Sequence, residues 1–266
     1  VPSSTGALER LAQDDRFDLI VSSVHAGDAN AAELARQVHA AGHQIPVIAL
    51  AYTNRELHEF VTDNDTSELE RTFLWQGDVR IFLAMVMYLE DRLNVEHDSG
   101  DEGIPAIIVV EDNVRFYSSF LPIIYSEITQ HTHELISEGL NLSQKILRMR
   151  ARPKILFSTC YEDALDDYER YRRHVIGIVS DVDYPREGKS VLGAGLDLVR
   201  TVRKTEPELP IMLQTQEPAY LDDARDLGAD AVIKDSPTLL PDLRRLPCRR
   251  LRKPCRTDLP DRTRPA

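Results

Sequence analysis

Cysteine is scarce in this chain of 266 residues: Cys160, Cys248 and Cys255 are the only three. Three thiols cannot all pair with one another, and their spacing matches no metal-ligand pattern. That excludes a disulfide framework and fits a reducing, cytoplasmic compartment. No apolar run approaches the roughly 18–20 residues of a membrane-spanning helix, and no secretory signal is visible. Negative charge outweighs positive over most of the chain, and one end reverses the balance. The net charge is −12, yet residues 244–266 hold nine Arg and Lys against two Asp, or +7; −12 minus +7 leaves −19 on the rest. A body so acidic is a poor nucleic-acid binder. The basic tail, residues 246–266, carries four prolines and no apolar period, and reads as a disordered linker; an arm for nucleic acid or an acidic partner is the alternative. The opening VPSSTGALERL reads like the middle of a longer chain.

What is present suffices for a sizeable core: 42% of residues are hydrophobic and 29% charged, over a length suited to one or two domains. Two segments resemble each other. FDLIVSSVHAGDANAAELARQVHAAGHQIPVIALAY starts at Phe17, and VIGIVSDVDYPREGKSVLGAGLDLVRTVRKTEPELPIMLQTQ starts at Val175. Each runs from an apolar strand through a polar turn to an amphipathic stretch, then through a proline to a second apolar strand. In the second copy Leu192, Leu196, Val199 and Val202 recur at helical steps. GAGLDL, from Gly193, does not qualify as a dinucleotide loop, because no strand immediately precedes it and Leu198 occupies the third glycine position.

Strands alternating with helices predict a parallel sheet covered on both faces. The second copy supplies five: Ile107–Val110, Lys154–Ser158, Ile176–Ser180, Ile211–Gln214 and Ala231–Ile233. The expectation is α/β, a flavodoxin-like, doubly wound parallel sheet of order 2-1-3-4-5. It is expected in two tandem copies: an incomplete one over residues 1–98 and a full one over 104–245. The acidic stretch Val95–Gly103 joins them. In such a sheet the site lies beyond the carboxyl ends of the strands, at the switch between first and third.

That rule gives meaning to AIIVVEDN, residues 106–113, where a buried strand runs directly into two adjacent carboxylates. Glu111 and Asp112 would lie beside Asp181, at the end of the third strand. Three carboxylates at one rim repel unless a cation joins them, and Mg²⁺ takes oxygen ligands with only one or two protein carboxylates. Thr215 ends the fourth strand and Lys234 the fifth. A nucleophilic carboxylate, a metal, an ammonium and a hydroxyl together suit phosphoryl transfer.

VVEDN, IVSDVDYP, LPIMLQT and AVIKD resemble the signature strand ends of response-regulator receiver domains, over about residues 104–245. The resemblance implies a two-component, phosphorelay signalling protein of bacterial type rather than an enzyme. It implies Asp181 as phosphoacceptor, Glu111, Asp112 and the Asp183 main-chain carbonyl as Mg²⁺ ligands, and Thr215 and Lys234 as readers of the phosphoryl oxygens. The implied partner is a sensor histidine kinase or phosphotransfer protein, with a fused or associated output domain or a homodimer as further options. FYSSFLP and ISEGLNLSQKILRMRARPKIL more weakly resemble receiver modules ahead of phosphoenolpyruvate-synthase-like enzymes.

Three residues depart from the receiver pattern: Asp235, Gln216 and Ala231, where proline, a small residue and an aromatic are usual. The first copy places Ser23, Ala51 and Gln76 where the second has Asp181, Thr215 and Lys234, so it reads as a silent pseudo-receiver; His25 reads as an ordinary loop residue. The connection from Asn113 to Pro153 is long. Val114, Tyr117, Leu121, Ile124 and Ile128 form a helical stripe with Pro122 as a kink, followed after Gly139 by a basic helix. This extension serves either a partner or dimer surface or a larger core. His131 and His133, two apart, point to different sides of a helix and are not a metal pair. Two other readings compete: a haloacid-dehalogenase-like phosphatase using Asp181 and Asp183, and a non-phosphorylated interaction scaffold.

Overall fold

The computed structural model describes residues 1–14, 16–136 and 152–234, with backbone alone for 131–136. Most of the expected basic helix, the side chains of His131 and His133, Asp235 and the basic tail fall outside the described residues.

In the first half, three parallel strands form a sheet in the order β1 (Ile20–Ser23), β4 (Val47–Ala51), β5 (Arg71–Leu74). The central strand, VIALA, is buried at every position, as a strand covered on both faces must be. A hairpin, β2 (His25–Ala26) and β3 (Ala29–Asn30), interrupts the path from β1 to the helix α2 (Ala31–Ala40). Helix starts carry side-chain caps: Ser3 for α1 (Ser4–Gln13), Asn30 for α2 and Thr53 for α3 (Asn54–Asp63) each accept a main-chain N–H. Asp28, in the hairpin turn, accepts from the Ser4 N–H and hydroxyl at 2.7 and 2.8 Å, seating α1 over the hairpin.

The second half holds five parallel strands in the order β7 (Lys154–Ser158), β6 (Ala106–Val110), β8 (Val175–Asp181), β11 (Ile211–Thr215), β12 (Asp230–Ile233). This α/β arrangement is consistent with a flavodoxin-like fold. Alternate residues of β6 serve opposite cores. Ile108 and Val110 face α6 (Tyr161–Tyr171) and α7 (Ala194–Arg203), whereas Ile107 and Val109 face α4 (Arg80–Val95) and α5 (Val114–Ile136). A second hairpin, β9 (Tyr184–Arg186) and β10 (Lys189–Val191), follows β8 as the first hairpin follows β1. Its turn, Glu187-Gly188, has φ of +52° and +71°, the left-handed pair that a two-residue turn demands. The remaining helix is α8 (Tyr220–Asp226).

One core runs through both halves. Ile48, Leu50 and Phe73 of the first sheet pack on the same α4–α5 layer as Ile155, Val179 and Met212 of the second. Across that layer the Tyr117 hydroxyl donates to the Thr72 carbonyl, and the Leu74 N–H donates to Ser118 Oγ at 2.9 Å. The stripe on α5 therefore builds core: Tyr117, Leu121, Ile124 and Ile128 are all buried. The helix runs through Pro122. The joining stretch is not a free linker. It winds into a π-helical turn, Glu96–Asp101, and sends Asp98 to Lys154 Nζ at 2.6 Å. Beside it, fully buried Asp91 holds Arg152 at 2.6 Å and accepts the Ile155 N–H at 2.8 Å.

Candidate functional site

The parallel strands end together, and their last residues set the site. β6 passes directly into Glu111 and Asp112, because Asn113 starts α5 at once: its carbonyl accepts the Phe116 and Tyr117 N–H groups and its Oδ1 accepts the Arg115 N–H. Glu111 turns inward, fully buried, and Asp112 faces solvent. Asp181 closes β8, and Lys234 follows β12, where its N–H donates to the Thr215 carbonyl at 2.9 Å.

These strand ends converge. Carboxylate oxygens of Glu111, Asp112 and Asp181 all lie within 4.8 Å of one another. Lys234 Nζ sits between two of them, 2.6 Å from Asp181 Oδ2 and 2.7 Å from Glu111 Oε2. Asp181 Oδ1 accepts the Val182 N–H at 2.7 Å. One ammonium among three carboxylates is electrostatically incomplete, and the acids are pushed upward. Burial first and the Asp181 charge second lift Glu111 to about 8. Burial also raises Asp112 and Asp181, the latter against the pull of Lys234. Desolvation disfavours each charge, and the shortage of cations leaves protons to fill the deficit.

This donor set fits a hard divalent cation: oxygen ligands only, two carboxyls held by backbone geometry, and a solvent-facing third where waters complete the shell. The Thr215 hydroxyl is buried and accepts the Glu217 N–H at 3.0 Å. The Asp183 carboxylate accepts the Gly193 N–H at 2.7 Å and lies outside the cluster formed by Glu111, Asp112 and Asp181. In the first half Ser23 ends β1, Ala51 is buried, and Gln76 is exposed and donates to the Arg115 carbonyl at 2.6 Å.

Two participants escape a sequence reading. Phe116 lies on the first turn of α5 with its ring centroid 4.3 Å from Lys234 Nζ, a cation–π contact that fixes the ammonium from the side. Gly195 lies on the first turn of α7, where its N–H donates to the Val182 carbonyl at 2.8 Å; a β-carbon there would collide with the Asp181 carbonyl oxygen. A glycine inside a helical pattern is the one local signal of such close approach.

No family model matches the chain, and no curated protein shows significant similarity to it. Among solved structures, a probable two-component system response regulator/GGDEF domain protein is similar at 16% identity, over 91% of this chain and 83% of that one, with a TM-score of 0.33. A likeness that slight carries no argument about fold or function. Among the described residues no helix is long and apolar enough to cross a membrane.

Proposed function

We propose that the chain is a response-regulator-type signalling protein that accepts a phosphoryl group on Asp181. The observation that carries this reading is the Lys234 ammonium within 2.7 Å of both Asp181 and Glu111, at the rim where three carboxylates meet. Glu111 and Asp112, with the Asp183 main-chain carbonyl, would hold Mg²⁺. Such an ion supplies charge neutralisation between an anionic nucleophile and an anionic donor.

The donor is a phosphohistidine of a sensor kinase or phosphotransfer protein. An Asp181 carboxylate oxygen forms the new P–O bond as the P–N bond of the donor breaks, and the bonding pair stays on the imidazole nitrogen. Lys234 then offers its charge-assisted hydrogen bond to the phosphoryl oxygens. Thr215, next to it on β11, turns its hydroxyl from Glu217 toward the same group. The resulting change passes to an output domain or partner. Residues 1–98, without acceptor, acid pair or lysine, act as a packed pseudo-receiver.

Incubation with acetyl phosphate and Mg²⁺ should produce one hydroxylamine-sensitive adduct by mass spectrometry, lost in Asp181→Asn and retained in Ser23→Ala. Absence of label in the parent chain, or its persistence in Asp181→Asn, would leave the interaction-scaffold reading in its place.

A further inference from the structure

A cavity of about 320 Å³ borders the outer edge of β7, the last strand on its side of the sheet. The Lys154 N–H and the Ser158 carbonyl point inward to the β6 side. Main-chain groups alternate along a strand, so Ile155 and Phe157 direct theirs outward. Asp91 takes the Ile155 N–H. The Phe157 N–H and carbonyl have no such partner among the described residues, and they open on the cavity.

The cavity walls carry opposite charges. On one side Arg71 stacks against Phe157 and Tyr88, 5.1 and 5.4 Å from the ring centroids, and donates to the Tyr88 hydroxyl at 3.0 Å. It makes no ion pair among the described residues, and its Nε is buried without a partner. On the other side α6 presents Asp163, Asp166 and Asp167 on one face. Ser158 Oγ holds Asp167 at 3.1 Å, and burial lifts that carboxyl to about 6.

The half-buried Arg71 guanidinium reaches the Glu70 carboxylate only through the Tyr88 hydroxyl, so a carboxylate entering the cavity would give it the direct charged partner it lacks. The acidic wall asks for the reverse. A long extended chain does not fit, because Asp91 and Asp98 already cover the start of β7. We propose that this cavity binds a small zwitterion of the free α-amino-acid class. Its carboxylate sits on Arg71 and the Phe157 N–H, and its ammonium on Asp167 and the Phe157 carbonyl. This inference is independent of the phosphoacceptor reading.

The test is calorimetric titration of the full chain with each proteinogenic L-amino acid, alongside the N-acetyl and amide derivatives of the best binder. At least one amino acid should bind at millimolar concentration or below. Each blocked derivative, and each of Arg71→Lys and Asp167→Asn, should weaken it by about tenfold or more, the loss of one charged contact. If Arg71→Lys does not fold, Asp167→Asn decides alone. No binding by any amino acid, equal binding of the blocked forms, unchanged affinity in Asp167→Asn, or equal binding of inorganic phosphate would each overturn the assignment.

Discussion

Replacing Glu111 by Gln isolates the charge imbalance of the acid cluster. Glu111 is fully buried, and its carboxyl is lifted from an ordinary 4.5 to about 8. The folded chain therefore keeps a proton that the unfolded chain releases above about 4.5. The associated stability is complete below that value and is lost as pH rises through about 8. At about 1.4 kcal/mol for each tenfold change, the loss amounts to roughly 3–5 kcal/mol between pH 5 and 9. Gln has no proton to release, so its stability curve lacks this fall. Asp181 interacts directly with Glu111, so the difference between the two chains reports the titration of that pair rather than of Glu111 alone. Urea unfolding of both chains in EDTA, at about pH 5.5, 7 and 8.5, gives the difference directly. Glu111→Gln should gain on the parent by a few kcal/mol from the lowest pH to the highest. Millimolar Mg²⁺ should stabilise the parent at the highest pH, and Glu111→Gln much less. Parallel pH curves for the two chains would refute the buried-proton account.

Asp91→Asn strips Arg152 of its buried partner and should cost about 3–5 kcal/mol in chemical denaturation. Gly195→Ala forces a β-carbon against the Asp181 carbonyl, so acetyl-phosphate labelling should slow while circular dichroism stays unchanged; equal labelling rates would show that the close approach does not matter. In hydrogen exchange, Val21 and Ser23, on a strand paired along one side only, should exchange faster than Ile108 and Val110 of β6, which pairs on both sides. α4, inside the shared core, should match β6 rather than β1.

Much of the second half is legible in the sequence, because each strand there is a short apolar run bounded by turn residues and ending in a chemically distinct group. The runs behind Glu111, Asp181, Thr215 and Lys234 become β6, β8, β11 and β12. The hairpins β2–β3 and β9–β10 are not legible: strands of two or three residues carry no period, and GD and EG turns look like any loop. Nor does a sequence say where a charge faces. Glu111 and Asp112 are neighbours of like composition, yet one is buried against Lys234 and the other meets water, since adjacent residues leaving a strand point to opposite sides. Val95–Gly103 reads as a polar joint by composition, and only tertiary contacts turn Asp98 into a partner for Lys154. Local residues and their spacing determined the strands and the identity of the acids. Packing of α4 and α5 between two sheets decided that the halves share one core, because burial depends on what lies across the layer and not along the chain.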